Sequence, residues 1–413
     1  MRIPHLSASG IIFMLITGAY AQNARLDALA NNFIIGDIGV LIGYPASAMP
    51  YTDVIQATAY ENGSFGPLFA IKSIGEWGAL GVIANQESYL RNNFYTDSKK
   101  YLSGSIGQMN GLPDEIPPFP HLLFAAEAGP VTFGLDLFYT IAKVNTTPGN
   151  EHEGSIRNAG ALFNVDFLLG NFGVYPFAGF SIPNTEGKLA TDNEQNDITV
   201  ATEKANMINA GLDVGFTISY TDFTLGGVFT SEKYQFSNTR NDTKTTSPEQ
   251  GLQDITLYAG AESWPEGNIM FSLVYTYDLL NFEKVDRIET SSDTLDQRAD
   301  STVQTNSFIL SGEYYLPVDR IVDNLVFRGG LYWEVADMKN EITTDTLSAG
   351  GSSKTAFEGP HQVSDVVPTI GLGLTRGWFT FDIATRLAGW EGAISGPPIV
   401  TGSLTINFGG RDE

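Results

Sequence analysis

From Val131 the chain alternates: Val131, Phe133, Leu135, Leu137, Tyr139 and Ile141 are apolar, and Thr132, Gly134, Asp136, Phe138, Thr140 and Ala142 stand between them. A period of two over this length predicts a long strand with one apolar face. The pattern returns at Phe163–Leu169 around Asn164 and Asp166, at Ile208–Ile218 around Asp213, and at Ile269–Tyr277. It appears again at Phe379–Ile383 against Asp382 and Arg386, and at Leu404–Phe408. Applied along the whole chain, it predicts about sixteen strands. They lie near 53–61, 65–73, 77–86, 121–129, 131–143, 156–169, 171–182, 204–219, 221–237, 252–263, 267–279, 304–316, 323–336, 364–376, 378–388 and 399–408.

Connection lengths say how these strands are arranged. Tight turns at Ala128-Gly129-Pro130, Gly170-Asn171, Tyr220-Thr221-Asp222, Trp264–Gly267 and Arg376-Gly377 alternate with long polar loops near 87–120, 144–155, 183–203, 238–251, 280–303 and 337–363. This short-long order predicts an all-β transmembrane antiparallel up-and-down barrel in an outer membrane, with short turns on the periplasmic side. An even strand number then leaves both termini in the periplasm, and fourteen strands is the alternative count.

The start of the chain reads as an export signal. Arg2 precedes the apolar run Ile11–Ile16 and the small-residue ending Ala19-Tyr20-Ala21. That run is too short to span a bilayer, so residues 1–21 are expected to be cleaved and the mature chain to begin at Gln22. Localisation in the outer membrane of a diderm bacterium follows, with outer-membrane lipid as surroundings and the barrel-assembly machinery as a partner in biogenesis.

Composition narrows the function. Against 47 acidic residues stand 23 Lys and Arg, a net charge of −24. This excess argues against nucleic acid as a partner and against polybasic attachment to anionic lipid. The chain has no Cys, so no disulfide framework holds it. The 44 Gly and 12% aromatic content favour strands and turns over helices.

Ahead of the first strand, Ile34–Met49 carries one charge, Asp37, and more apolar surface than an exposed tail should. Residues 22–52 are therefore expected to form a plug inside the wide barrel of residues 53–413. Arg25-Leu26-Asp27-Ala28-Leu29-Ala30-Asn31, then Asp37 and Tyr44-Pro45-Ala46-Ser47-Ala48-Met49, resembles the opening of the FadL/PorV-type outer-membrane barrels. There an R-x-x-A-L-G-G opening leads through acidic residues to an N-P-A-x-x-[LM] motif. The resemblance implies a barrel, typically of fourteen strands, with its N-terminal segment in the lumen as a hatch. It also implies, in one branch, uptake of hydrophobic small molecules, and in another, service as a secretion or surface-attachment partner. Arg25, Asp27, Asp37, Tyr44 and Pro45 are the plug residues it marks.

Alternation assigns Lys72, Asp136, Asp166, Asp213, Glu313, Arg328, Asp382 and Arg386 to the lumen, because mid-strand charges are costly on the lipid face. They are expected to pair with one another or with the plug more often than to line a path for a solute. Trp77, Trp264, Trp333, Trp378 and Trp390 fall near strand ends and are expected to form interfacial girdles. The run Asp192–Asp197 lacks the Gly and distal Glu of a Ca²⁺ loop and reads as solvated loop, as do 242–247 and 289–293. The loop with Pro113, Pro117, Pro118, Phe119 and Pro120 is expected to be stiff, a lid near the mouth.

Nothing points to an enzyme. His121, His152 and His361 have no metal-ligand spacing, and no nucleophile elbow or P-loop is present. No cofactor or metal is expected. The reading is a barrel for passage of small hydrophobic or amphipathic molecules, a hydrophobic small molecule being the expected ligand. A PorV-like partner barrel and a simple porin are the alternatives.

Overall fold

The computed structural model describes residues 24–30, 34, 43–60, 65–86, 119–145, 152–189, 198–240, 243–246, 249–289, 294–318, 322–346, 351–387 and 399–408. Outside these lie the signal, Asp37, Trp390, the run Asp192–Asp197 and most of the proline-bearing loop.

The strands are β1 (Val54–Tyr60), β2 (Phe65–Ile74), β3 (Gly78–Gln86), β4 (Phe119–Ala128), β5 (Val131–Asn145), β6 (His152–Leu169), β7 (Phe172–Leu189), β8 (Ile198–Ile218) and β9 (Thr221–Arg240). They continue as β10 (Thr243–Thr246), β11 (Gln250–Glu266), β12 (Ile269–Glu289), β13 (Thr294–Pro317), β14 (Asn324–Thr346), β15 (Gly351–Arg376), β16 (Phe379–Arg386) and β17 (Ile399–Asn407). Apart from β10 and β11, which both lie along β9, each pairs antiparallel with its sequence neighbour. The short β10 lies on the outer end of β9, and β11 continues along the same strand from Gln250↔Tyr234, so the two make one stave. β1 pairs with β17 from Val54↔Asn407 to Tyr60↔Thr401, and the sheet closes into a barrel of sixteen staves. The fourteen typical of the resembled family does not apply here.

Closure leaves two faces with opposite chemistry. Outward-facing side chains form an exposed apolar coat that includes Leu80, Leu122, Leu137, Phe163, Ile208, Leu225, Phe271, Leu310, Phe327, Ile370 and Leu404. A coat of this extent suits lipid and not water. The alternate positions are buried and often polar: Asn158, Asp213, Thr256, Thr276 and Glu313 are examples. On the outer face Tyr275, Phe308 and Trp333 form a cross-strand aromatic row, with centroids 5.0 and 5.4 Å apart.

At the short-turn end several two-residue connections share one backbone device. Gly129, Gly170 and Gly377 each occupy the first position of the turn with φ of +65°, +65° and +49°, and Ser219 does the same with φ +58°. One positive φ at this position matches the twist of the hairpin. Trp77, Tyr220 and Trp378 are exposed at or beside these turns, where an aromatic girdle belongs.

Two expectations need correction. The predicted loops 280–303 and 337–363 are largely strand: β12 to β15 run for 21, 24, 23 and 26 residues, far past the apolar coat. Their outer parts keep in-register partners, such as Asp296↔Asp345 and Ile342↔Thr355, without an apolar face. Outside lipid the ladder needs no such face, so hydropathy alternation does not mark it. Likewise Thr243–Thr246, expected within a loop, is β10.

Ahead of β1, the described parts of the N-terminal segment lie against the inner wall. Its helix α1 (Ala24–Ala28) packs on β14 to β17, and a 3₁₀ turn, Pro45–Tyr51, packs on β2 to β6. Leu26, Ala28, Leu29, Ile34, Tyr44, Ala46 and Ala48 are all buried.

Because a left-handed backbone costs a residue with a Cβ roughly 1–2 kcal/mol, Gly377→Val is expected to destabilise the barrel by about that amount. Ser219→Gly is expected to stabilise it by about 1 kcal/mol or less. Urea unfolding from lipid vesicles, followed by tryptophan fluorescence, measures both.

Candidate functional site in the barrel lumen

The inner wall is not smooth, and its notches are glycines. A Cβ on Gly134 would fall 1.9 Å from the backbone nitrogen of Ala46, and one on Gly371 would fall 2.3 Å from Cβ of Ala28. Gly330 leaves room for the backbone at Leu29 and Ala30, and Gly260 for the side chain of Ile34. The segment can approach the wall this closely only where the wall has no side chain. Thr369 adds a clasp, donating its hydroxyl to the Ala28 carbonyl at 2.8 Å.

Charge holds the helix end of the segment. Arg25 forks onto Glu313, with Nε to Oε1 at 2.9 Å and Nη2 to Oε2 at 3.0 Å. Arg328 reaches the same carboxylate at 2.6 Å and also pairs with Asp382, while Tyr315 donates to Glu313 Oε2 at 2.9 Å. Two guanidinium groups thus meet two carboxylates in a largely buried network that spans the segment, β13, β14 and β16. Nearby, Trp264 donates its indole N–H to Glu262 at 2.6 Å and packs against Leu29 and Met270. Trp264 therefore faces the lumen and is not part of a girdle. A strand end at the rim offers an indole two places, and here the buried carboxylate of Glu262 claims its donor.

A second network holds the other end. Tyr44 donates to Asp213 Oδ2 at 2.6 Å, and Tyr258 donates to the other oxygen of the same carboxylate. The amide of Ala46 donates to Asn164 Oδ1 at 2.8 Å, and Asn164 in turn donates to Asp166 at 2.8 Å. Tyr44 also meets Phe177 edge to face at 5.0 Å. Pro45 sits buried at the first position of the 3₁₀ turn, where its missing N–H leaves no donor unpaired.

Of the residues assigned to the lumen from alternation, Asp136, Asp166, Asp213, Glu313, Arg328 and Asp382 are buried in the interior. Arg386 is half-buried on the inward phase of β16, opposite Thr369. Lys72 is not in the lumen. In β2 the inward positions are Phe69 and Ile71, and Lys72 points outward at the rim, with Nζ on Asp53 and 6.0 Å from the ring of Phe408. Leu68 and Phe69 make both faces of β2 apolar, so alternation there carries no phase. Asp27 lies in α1 but its side chain, like Asp37, lies outside the described residues.

Sequence pattern did not single out Tyr258, Asn164, Glu262 or the pair of His121 with Asp136, whose Nδ1 and Oδ2 lie 2.8 Å apart. Each lies on the inward phase of its own strand, which was a usable signal. Their partners come from other staves, and the sequence does not supply that.

No family model matches the chain, and no curated protein matches it. Among solved structures, it is similar to a Pseudomonas aeruginosa FadL homologue, with 8% identity and a TM-score of 0.45, covering 94% of this chain and 99% of that one. It is also similar to the CymD monoaromatic hydrocarbon channel (11%, 0.41, covering 94% and 99%). A third likeness is to the Pseudomonas putida toluene transporter TodX (9%, 0.38, covering 90% and 94%).

Removing Arg25 leaves Glu313 sharing Arg328 with Asp382, so Arg25→Ala is expected to cost about 3 kcal/mol in denaturant unfolding. Adding Glu313→Gln should recover part of that loss, the non-additivity reporting the coupling. At the rim, hydrogen bonds first from Lys72 and then from Ser73 hold the Asp53 carboxyl below its ordinary range. A depressed carboxyl contributes stability above its unfolded pKa and loses it as pH falls through the folded one. Wild-type protein should therefore lose stability below about pH 4 more steeply than Asp53→Asn, as read from acid titrations of the folded fraction.

Proposed function

We propose that this chain is an outer-membrane barrel that passes small hydrophobic or amphipathic molecules, with residues 22–52 as a plug that must loosen for passage. The observation that carries this reading is the way the segment is seated. Its described residues reach staves around the wall: α1 meets β14 to β17, the 3₁₀ turn meets β2 to β6, Tyr44 meets β8, and Ile34 meets β11. A periplasmic tail packed under the barrel would not need glycine notches in strand interiors.

The character of the cargo is argued from the wall itself. Buried Phe138, Phe177, Met207 and Val228 share the interior with the carboxylates and hydroxyls described above. Such a lining offers an apolar chain dispersion contacts and a polar group hydrogen bonds. A strictly aqueous porin would need neither the apolar positions nor the buried anchor of the segment. One observation favours a second role as a secretion or attachment partner: β12 to β15 extend well beyond the apolar coat and offer a β-wall above the membrane.

Planar-bilayer conductance tests the plug. The intact mature protein is expected to be closed for most of the record. Arg25→Ala combined with Tyr44→Phe, which cuts both anchors, is expected to show frequent openings. Equal, sustained conductance from both proteins would make it an open porin and overturn the reading.

A further inference from the structure

Above the anchored segment, three acids face the lumen without the partners that Glu313 and Asp382 have. Asp254 is on β11, two inward-facing positions beyond Tyr258, and is 1% exposed. Asp278 is on β12, diagonally across from Asp254 on the same face, since its register partner is Thr256. Glu334 is on β14, two inward-facing positions beyond Gly330, and accepts a hydrogen bond from Tyr332. Asp278 feels the charge of Asp254 on one side and of Glu334 on the other.

Among the described residues no lysine or arginine forms an ion pair with any of the three, and Asp254 Oδ1 and Asp278 Oδ1 are buried without a hydrogen-bond partner. A separate feature points the same way. Thr230 on β9, in register with Asp254 and 2% exposed, has its hydroxyl buried and unpartnered beside the acids. Native interiors rarely leave such groups idle, and here three neighbouring staves do so at one place. Elsewhere in the lumen buried acids meet arginines, as Glu313 and Asp382 do, or side-chain donors, as Asp213 does with Tyr44 and Tyr258.

We propose that this part of the lumen binds the organic ammonium group of an amphipathic ligand, a reading that rests on the passage function proposed above and names its cargo. The acids meet the positive charge, and the Thr230 hydroxyl accepts an N–H. A metal ion fits less well, because no group of three or more acidic or histidine side chains among the described residues has the geometry to hold one. Further down the inner wall, Val228 follows Thr230 on β9, and Val274, two inward positions below Asp278 on β12, lies beside its β13 partner Ile309; they give an attached alkyl chain an apolar surface leading toward the segment. The chain's net charge of −24 draws cations to it before any specific contact.

Calorimetric titration of the mature full-length protein in non-ionic detergent tests this with octylammonium, octanol and methylammonium. Octylammonium should bind at least tenfold tighter than octanol. Asp254→Asn combined with Asp278→Asn should abolish that preference without changing octanol affinity. Asp136→Asn, a carboxylate lost elsewhere in the lumen, should leave the preference intact, and heat-modifiable migration reports that each variant is folded. Octylammonium binding no tighter than octanol in the wild type would overturn the ammonium site while leaving apolar passage standing. A preference that survives in the double variant, or no binding of either cation, also overturns it. Acid-dependent binding of methylammonium with no binding of octanol would support the site and sink the apolar-passage reading.

Discussion

In a bilayer core no water is present to satisfy a free N–H or carbonyl, and every other feature of this molecule depends on how the sheet meets that constraint. Pairing of β1 with β17, from Val54↔Asn407 to Tyr60↔Thr401, removes the last open edge. Once the edge is gone the two faces separate completely. Within the height of the apolar coat, exposed apolar side chains face lipid and inward-facing polar groups share one interior. The inner wall therefore has to be read as a set of obligations between staves, and the N-terminal segment discharges many of them.

Those obligations are met by two kinds of contact with different tolerances. The ion network at Glu313 is directional, so it places α1 at one position on the wall. The notches at Gly134, Gly330 and Gly371 are steric, so they decide how deep the segment can lie. Neither alone would do. Charge without the notches would hold the helix off the wall, and notches without charge would leave buried Glu313 with a single arginine already shared with Asp382.

Much of the architecture was readable in the sequence because lipid imposes a strict period. The phases of β5, β6, β8 and β16 put Asp136, Asp166, Asp213 and Asp382 inside, and the short-long rhythm of connections gave an even, closed barrel. The rule failed where its physical basis lapses. Both faces of β2 are apolar, so Lys72 was placed on the wrong side. The outer reaches of β12 to β15 meet no lipid, so their ladders left no hydropathic trace. The site was less legible than the fold. Arg25 and Tyr44 stood out within an unusual segment, but that Arg25 meets Glu313 and Tyr44 meets Asp213 is decided by closure, across 288 and 169 residues of chain. The glycines that seat the segment look, in one dimension, like any other glycine in a strand.

The seating of α1 also orders events in time. Helix α1 rests on β14 to β17, far along the chain from it, and the clasp of Thr369 on the Ala28 carbonyl joins residues 341 positions apart. Until β13 and β15 are in place, Arg25 has no Glu313 and Ala28 no notch at Gly371. α1 can thus take its seat only after staves far along the chain have formed. Seating of α1 therefore registers that the wall around it is complete.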